Sequence, residues 1–90
     1  MELHLTNLNV LVTGASKGIG FAIAEGFVKE GANVTIVSRS QDNLDSAVDS
    51  IYANYNIKVK TIAIDLSKKE SIASLLKKVG DIDILYRPAN

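Results

Sequence analysis

The segment Thr13-Gly14-Ala15-Ser16-Lys17-Gly18-Ile19-Gly20 constrains this chain more than any other. It follows the apolar run Val10-Leu11-Val12, whose length and branched residues suit a strand buried on both faces. Beyond it the apolar period changes. Ile19, Ile23 and Phe27 recur every fourth residue with Ala24 and Val28 beside them, forming one apolar face of a helix over Gly18–Glu30. In a glycine-rich turn from strand to helix, backbone N–H groups and the positive end of the helix dipole favour an anion such as a pyrophosphate. Gly14 permits a tight turn, Gly18 lets the backbone approach a phosphate with no Cβ in the way, and Gly20 lets the helix lie close to the strand. Ser16 adds a hydroxyl and Lys17 a cation. A plain turn needs one glycine, so three favour a ligand. The spacing G-x-x-x-G-x-G is neither the commonest dinucleotide fingerprint nor a P-loop, because no Gly-Lys-Ser/Thr follows at the required distance.

The rest of the chain continues the alternation. Gly31 suits the left-handed position at the end of the first helix. Gly26, inside that helix, costs about 1 kcal/mol relative to Ala and suggests close helix–sheet packing. Asn33 to Val37 reads as a second strand, and Leu44, Ala47, Val48, Ile51, Tyr52 and Tyr55 follow with helical spacing behind the N-cap candidate Ser40. Lys58 to Ile64 alternates as a third strand. Ser67 and Glu70 have capping-box spacing ahead of a third helix with Ile72, Leu75, Leu76 and Val79 on one face, closed by Gly80. Ile82, Ile84 and Leu85 form a fourth strand. The order β-α-β-α-β-α-β predicts an α/β fold with parallel strands and right-handed crossovers.

Composition narrows the function. The 90 residues form one domain, residues 1–90, too short for a cofactor domain plus a separate substrate domain. Ten Lys and Arg balance ten Asp and Glu, which argues against bulk electrostatic binding to nucleic acid or to an anionic membrane. With no Cys and one His, His4, a disulfide framework, a thiolate metal site and a multi-histidine metal cluster are excluded. No apolar run is long enough to span a bilayer and the first nine residues lack a secretory pattern, so a soluble cytoplasmic protein is expected.

Thr13–Gly20 resembles the cofactor loop of the short-chain dehydrogenases/reductases, and the likeness extends to Glu30-Gly31-Ala32-Asn33-Val34, Asp65-Leu66 and Asp83-Ile84-Leu85. It covers roughly residues 6–85. The resemblance implies a Rossmann-type parallel sheet in the strand order 3-2-1-4 and a nicotinamide cofactor. The end of the second strand then selects between NADP and NAD. An acidic residue there binds the ribose 2′-hydroxyl of NAD, whereas an Arg accommodates the 2′-phosphate of NADP. Nineteen residues after Gly20 stands Arg39, between Ser38 and Ser40, with no Asp or Glu between Gly31 and Gln41. A guanidinium fork matches a phosphate, and Lys17 supplies a second cation, so NADP is favoured over NAD. A basic residue before the second loop glycine is also an NADP mark in the family resembled. By resemblance, Asp65, followed by Leu66, stands beside the adenine; the competing role for Asp65 is to satisfy backbone donors at a helix start.

The family's chemistry needs Tyr-x-x-x-Lys, with the Lys lowering the Tyr pKa from its ordinary value of about 10. Four residues after Tyr52, Tyr55 and Tyr86 stand Asn56, Val59 and Asn90, so no catalytic residue is assigned. After Asp83-Ile84-Leu85 the family usually continues with a turn of the Asn-Asn-Ala-Gly type; here Tyr86-Arg87-Pro88-Ala89-Asn90 follows, and Tyr86 is expected to pack. The chain therefore reads as the N-terminal, NADP-binding portion of a short-chain oxidoreductase acting on alcohol or ketone groups, an incomplete sheet without its catalytic half. The alternatives are a stand-alone nucleotide-binding or regulatory module, and an interaction protein that self-associates through a bare fourth strand.

Overall fold

The computed structural model describes residues 6–15 and 17–87, and its elements alternate as the periodicity requires. Strand β1 (Asn9–Thr13) leads to helix α1 (Gly18–Lys29), β2 (Asn33–Ser38) to α2 (Gln41–Tyr55), and β3 (Lys60–Ala63) to α3 (Lys69–Val79), which precedes β4 (Ile84–Tyr86). The four strands form one parallel sheet in the order β3-β2-β1-β4, as the resemblance implied. Val10 pairs with Val34 and Ile84, and Thr35 with Lys60, so side chains of each parity share one face of the sheet.

The first face carries α1 and α2. Val10, Val12, Val34 and Ile36 pack there against Ala24, Val28, Leu44, Ala47 and Ile51, all buried. Each large aliphatic side chain buried in this way contributes roughly 1.5–3 kcal/mol. Tyr86 packs against the same cluster, as expected of a structural tyrosine. The second face is covered more thinly. Leu11, Val37 and Leu75 form its buried centre, while Ile72 and Leu76 remain 49 % and 54 % exposed. The apolar face anticipated for α3 is thus only partly used, because among the described residues no further helix lies over it.

Two helix ends follow their sequence signals. The Ser40 hydroxyl accepts the Asn43 N–H at 3.2 Å and caps α2. Gly31 sits at φ +86, with its N–H on the Val28 carbonyl and the Ala32 N–H on the Phe27 carbonyl, a Schellman ending for α1. The start of α3 differs. Ser67 does not cap it. Its N–H instead donates to Asp65 Oδ1 at 3.0 Å, and the helix begins at Lys69 after Lys68. The Asx turn engages Ser67 before the helix starts.

Gly26 also departs from expectation. It is exposed, and a Cβ built on it meets nothing within 4 Å. The buried small-residue stripe is Gly20, Ala24 and Val28, and Gly26 lies on the opposite side of the helix. Gly26→Ala should therefore raise stability by about 1 kcal/mol through helix propensity alone. In thermal unfolding this corresponds to a Tm higher by about 4–8 °C; an unchanged or lower Tm would show that Gly26 has a contact of its own.

Candidate functional site

In an open parallel sheet, ligands bind beyond the carboxyl ends of the strands where the strand order reverses. Here the chain builds outward from β1 to β2 and β3, then returns to place β4 on the other side of β1. The reversal falls at the end of β1, where the glycine loop begins. The Thr13 hydroxyl donates to the Tyr86 carbonyl at 3.3 Å and ties the ends of β1 and β4 together.

The loop is anchored on the neighbouring strand. Gly14 and Ala15 N–H both donate to the Val37 carbonyl, at 2.9 and 3.4 Å. These two amides are therefore committed to the protein, which narrows the donors that sequence reasoning offered a phosphate. The first helical bond runs from the Phe21 N–H to the Lys17 carbonyl, so the N–H groups of Gly18, Ile19 and Gly20 precede any intrahelical partner. Among the described residues no side chain caps this helix start. Ser16 lies outside the described residues.

Each loop glycine has a geometric reason. Gly14 and Gly18 adopt φ +64 and +60, where side chains are disfavoured. Gly18 also has open space around a hypothetical Cβ, so its backbone is approachable. At Gly20 a Cβ would run into the carbonyl oxygen of Gly14, and would lie 2.9 Å from the Gly14 carbonyl carbon and 3.1 Å from Ala15 Cα. Ile19, expected on the apolar face of α1, is 76 % exposed beside the loop, because it falls in the first turn, ahead of the sheet contact. Lys17 is exposed as well.

The second part of the site is the end of β2. Arg39 is exposed. It stands between two pinned residues: the Ser38 hydroxyl accepts the Ser40 N–H at 3.3 Å, and Ser40 caps α2. Val37, whose carbonyl holds the glycine loop, lies two positions before Arg39, so loop and Arg39 share one end of the sheet. Asp65 follows β3 at the same end. The hydroxyl and N–H of Ser67 hold its carboxyl below the ordinary carboxylate range, with smaller contributions from the Arg39 and Lys68 charges. Leu66 is half-buried against the Leu11–Val37–Leu75 cluster and so packs in the second core.

Sequence reasoning missed two contributors. The Val37 carbonyl carries no sequence signal, since any residue supplies one. Ala15 is fully buried against the first core; a small residue between two loop positions was its only trace. A separate cavity of about 510 Å³ opens at the amino ends of the strands, lined by Asn9, Thr35, Ile57, Lys60, Val79 and Asp81 among others, and shares no residue with the loop. Among the described residues there is no cluster of three His, Cys, Asp or Glu able to hold a metal, and no helix long and apolar enough to cross a membrane.

A parallel sheet with its glycine loop at the reversal point, a helix start offering N–H groups and an Arg at the next strand end together define a Rossmann-type unit. The family model of the short chain dehydrogenases matches residues 8–90. The chain belongs to that family. It is 41 % identical over 88 residues to the uncharacterized oxidoreductase YvrD of Bacillus subtilis, covering 94 % of this chain and 33 % of that protein. It is 39 % identical to bovine (Bos taurus) L-xylulose reductase, covering 99 % and 34 %. Among solved structures, L-sorbose reductase from Gluconobacter frateurii, complexed with NADPH and L-sorbose, superposes with a TM-score of 0.90 at 35 % identity, over 100 % of this chain and 36 % of that one. The chain thus spans about a third of the length of these relatives.

Proposed function

We propose that this chain binds NADP in preference to NAD, as the cofactor-binding portion of a short-chain oxidoreductase acting on alcohol and ketone groups. The observation that carries the preference is Arg39, exposed at the end of β2 beside the glycine loop, in a stretch without an acidic residue. The NADPH complex of L-sorbose reductase supports the same choice.

The residues present fit such a cofactor. The space that a Cβ on Gly20 would fill is taken by the loop itself, and Gly18 leaves its outer side open. Ser16, Lys17, Gly18, Ile19 and Gly20 would hold the pyrophosphate on the turn that Gly14 makes with its amide on Val37, Ser38, Arg39 and Ser40 the 2′-phosphate, and Asp65 with Leu66 the adenine end. When bound, the nicotinamide supplies the hydride. The chain's own residues bind and orient: the start of α1 meets negative charge with N–H groups and dipole, and Arg39 meets the 2′-phosphate with a planar fork. Proton transfer to or from an alcohol would need a Tyr-x-x-x-Lys pair, which these 90 residues do not contain, so binding without turnover is the activity proposed for them.

Parallel titrations of the purified chain with NADP and NAD test the reading. NADP should bind at least about tenfold more tightly, the worth of one charge-assisted contact. Equal affinities, or tighter NAD, would refute it.

A further inference from the structure

We infer that Asp65 limits how strongly this chain discriminates NADP from NAD, by opposing Arg39 at the shared end of β2 and β3. The inference rests on the NADP reading above and extends it: beside its place at the adenine end, the charge of Asp65 acts on the 2′-phosphate.

The placement follows from the strand register. Ser38 pairs with Ala63, and the Ile64 N–H donates to the Ser38 carbonyl at 2.9 Å. Arg39 and Asp65 therefore leave the same end of two neighbouring parallel strands, whose backbones are about 4.8 Å apart. Both departures are fixed, by Ser38 and Ser40 on one strand and by the Asx turn from Asp65 to Ser67 on the other. The Asp65 carboxylate is held by Ser67, not by an ion pair with Arg39, yet it lies within reach of the Arg39 field. It thus stays fixed and ionised near the guanidinium. A phosphate approaching Arg39 meets that carboxylate as a like charge. NAD carries no 2′-phosphate, so the repulsion falls on NADP alone. Any contact of Asp65 with the adenine is common to both dinucleotides and cancels in their affinity ratio.

Removing one negative charge several ångströms from a phosphate carrying about 1.5–2 negative charges should change affinity by roughly three- to tenfold in a water-rich dielectric. Asp65→Asn removes the charge and keeps an oxygen for the Ser67 N–H. Wild type, Asp65→Asn and the charge-retaining Asp65→Glu are each titrated with NADP and NAD from one sample, so the ratio does not depend on the fraction folded. The ratio of NAD to NADP dissociation constants should rise roughly three- to tenfold in Asp65→Asn and not rise in Asp65→Glu. The gain should shrink at about 1 M salt, where the screening length is about 3 Å. A wild type that prefers NADP while Asp65→Asn leaves the ratio unchanged or lower overturns the inference alone. A wild type with no NADP preference overturns the NADP reading and the inference with it.

Discussion

Gly20→Ala is expected to cost the protein about 3 kcal/mol and most of its dinucleotide affinity. The added methyl group would meet the Gly14 carbonyl and the Ala15 backbone, atoms that belong to the loop and cannot swing aside as a side-chain tip could. Relief requires α1 to slide from β1 or the loop to lift from the Val37 carbonyl that holds it. Overpacking of this kind costs typically 1–3 kcal/mol and occasionally more. Small domains have only about 5–15 kcal/mol in total. A Tm lower by more than about 10 °C follows, together with at least a tenfold loss in NADP affinity. Gly26→Ala, the same change six residues further along the same helix and on its other side, should have the opposite sign, so the pair separates contact from propensity. A Gly20→Ala protein with wild-type Tm would mean that the loop does not pack against α1 as described.

Arg39→Ala is expected to weaken NADP binding by about ten- to a hundredfold and NAD binding by less than about threefold. A charge-assisted hydrogen bond contributes about 1.5–3 kcal/mol, and a bidentate pair also adds geometric selection. Arg39→Lys keeps the charge without the fork and should fall between the two. The side chain is exposed, so its removal leaves folding nearly unchanged and the effect appears in affinity. Equal losses for NADP and NAD would show that Arg39 contacts a part common to both dinucleotides.

Most of the fold was legible because two periods, of two and of about four residues, alternate along the chain with glycines between them. Ser40 and Gly31 announced the start of α2 and the end of α1 through chemistry local to those turns. Errors arose where two local solutions compete or where a contact is long-range. Ser67 has both an Asp two residues before it and a Glu three residues after it; the Asp takes its N–H. Gly26 and Gly20 look alike in sequence, and only the approach of a distant backbone tells which is forced. The glycine loop pointed to the site, but the commitment of the Gly14 and Ala15 amides to Val37 is a property of strand pairing and has no sequence trace.

The two rims of the sheet differ in kind. On the β3 side stands Lys60, aligned with Thr35 on the sheet face, with Lys58 just ahead of it. On the β4 side stand Ile84, Leu85 and Tyr86, with Leu85 more than half exposed. Charged residues on an edge strand discourage further pairing, whereas an apolar edge admits it. The two outer strands of this four-stranded sheet therefore differ in the chemistry they present: lysines at β3, aliphatic and aromatic side chains at β4.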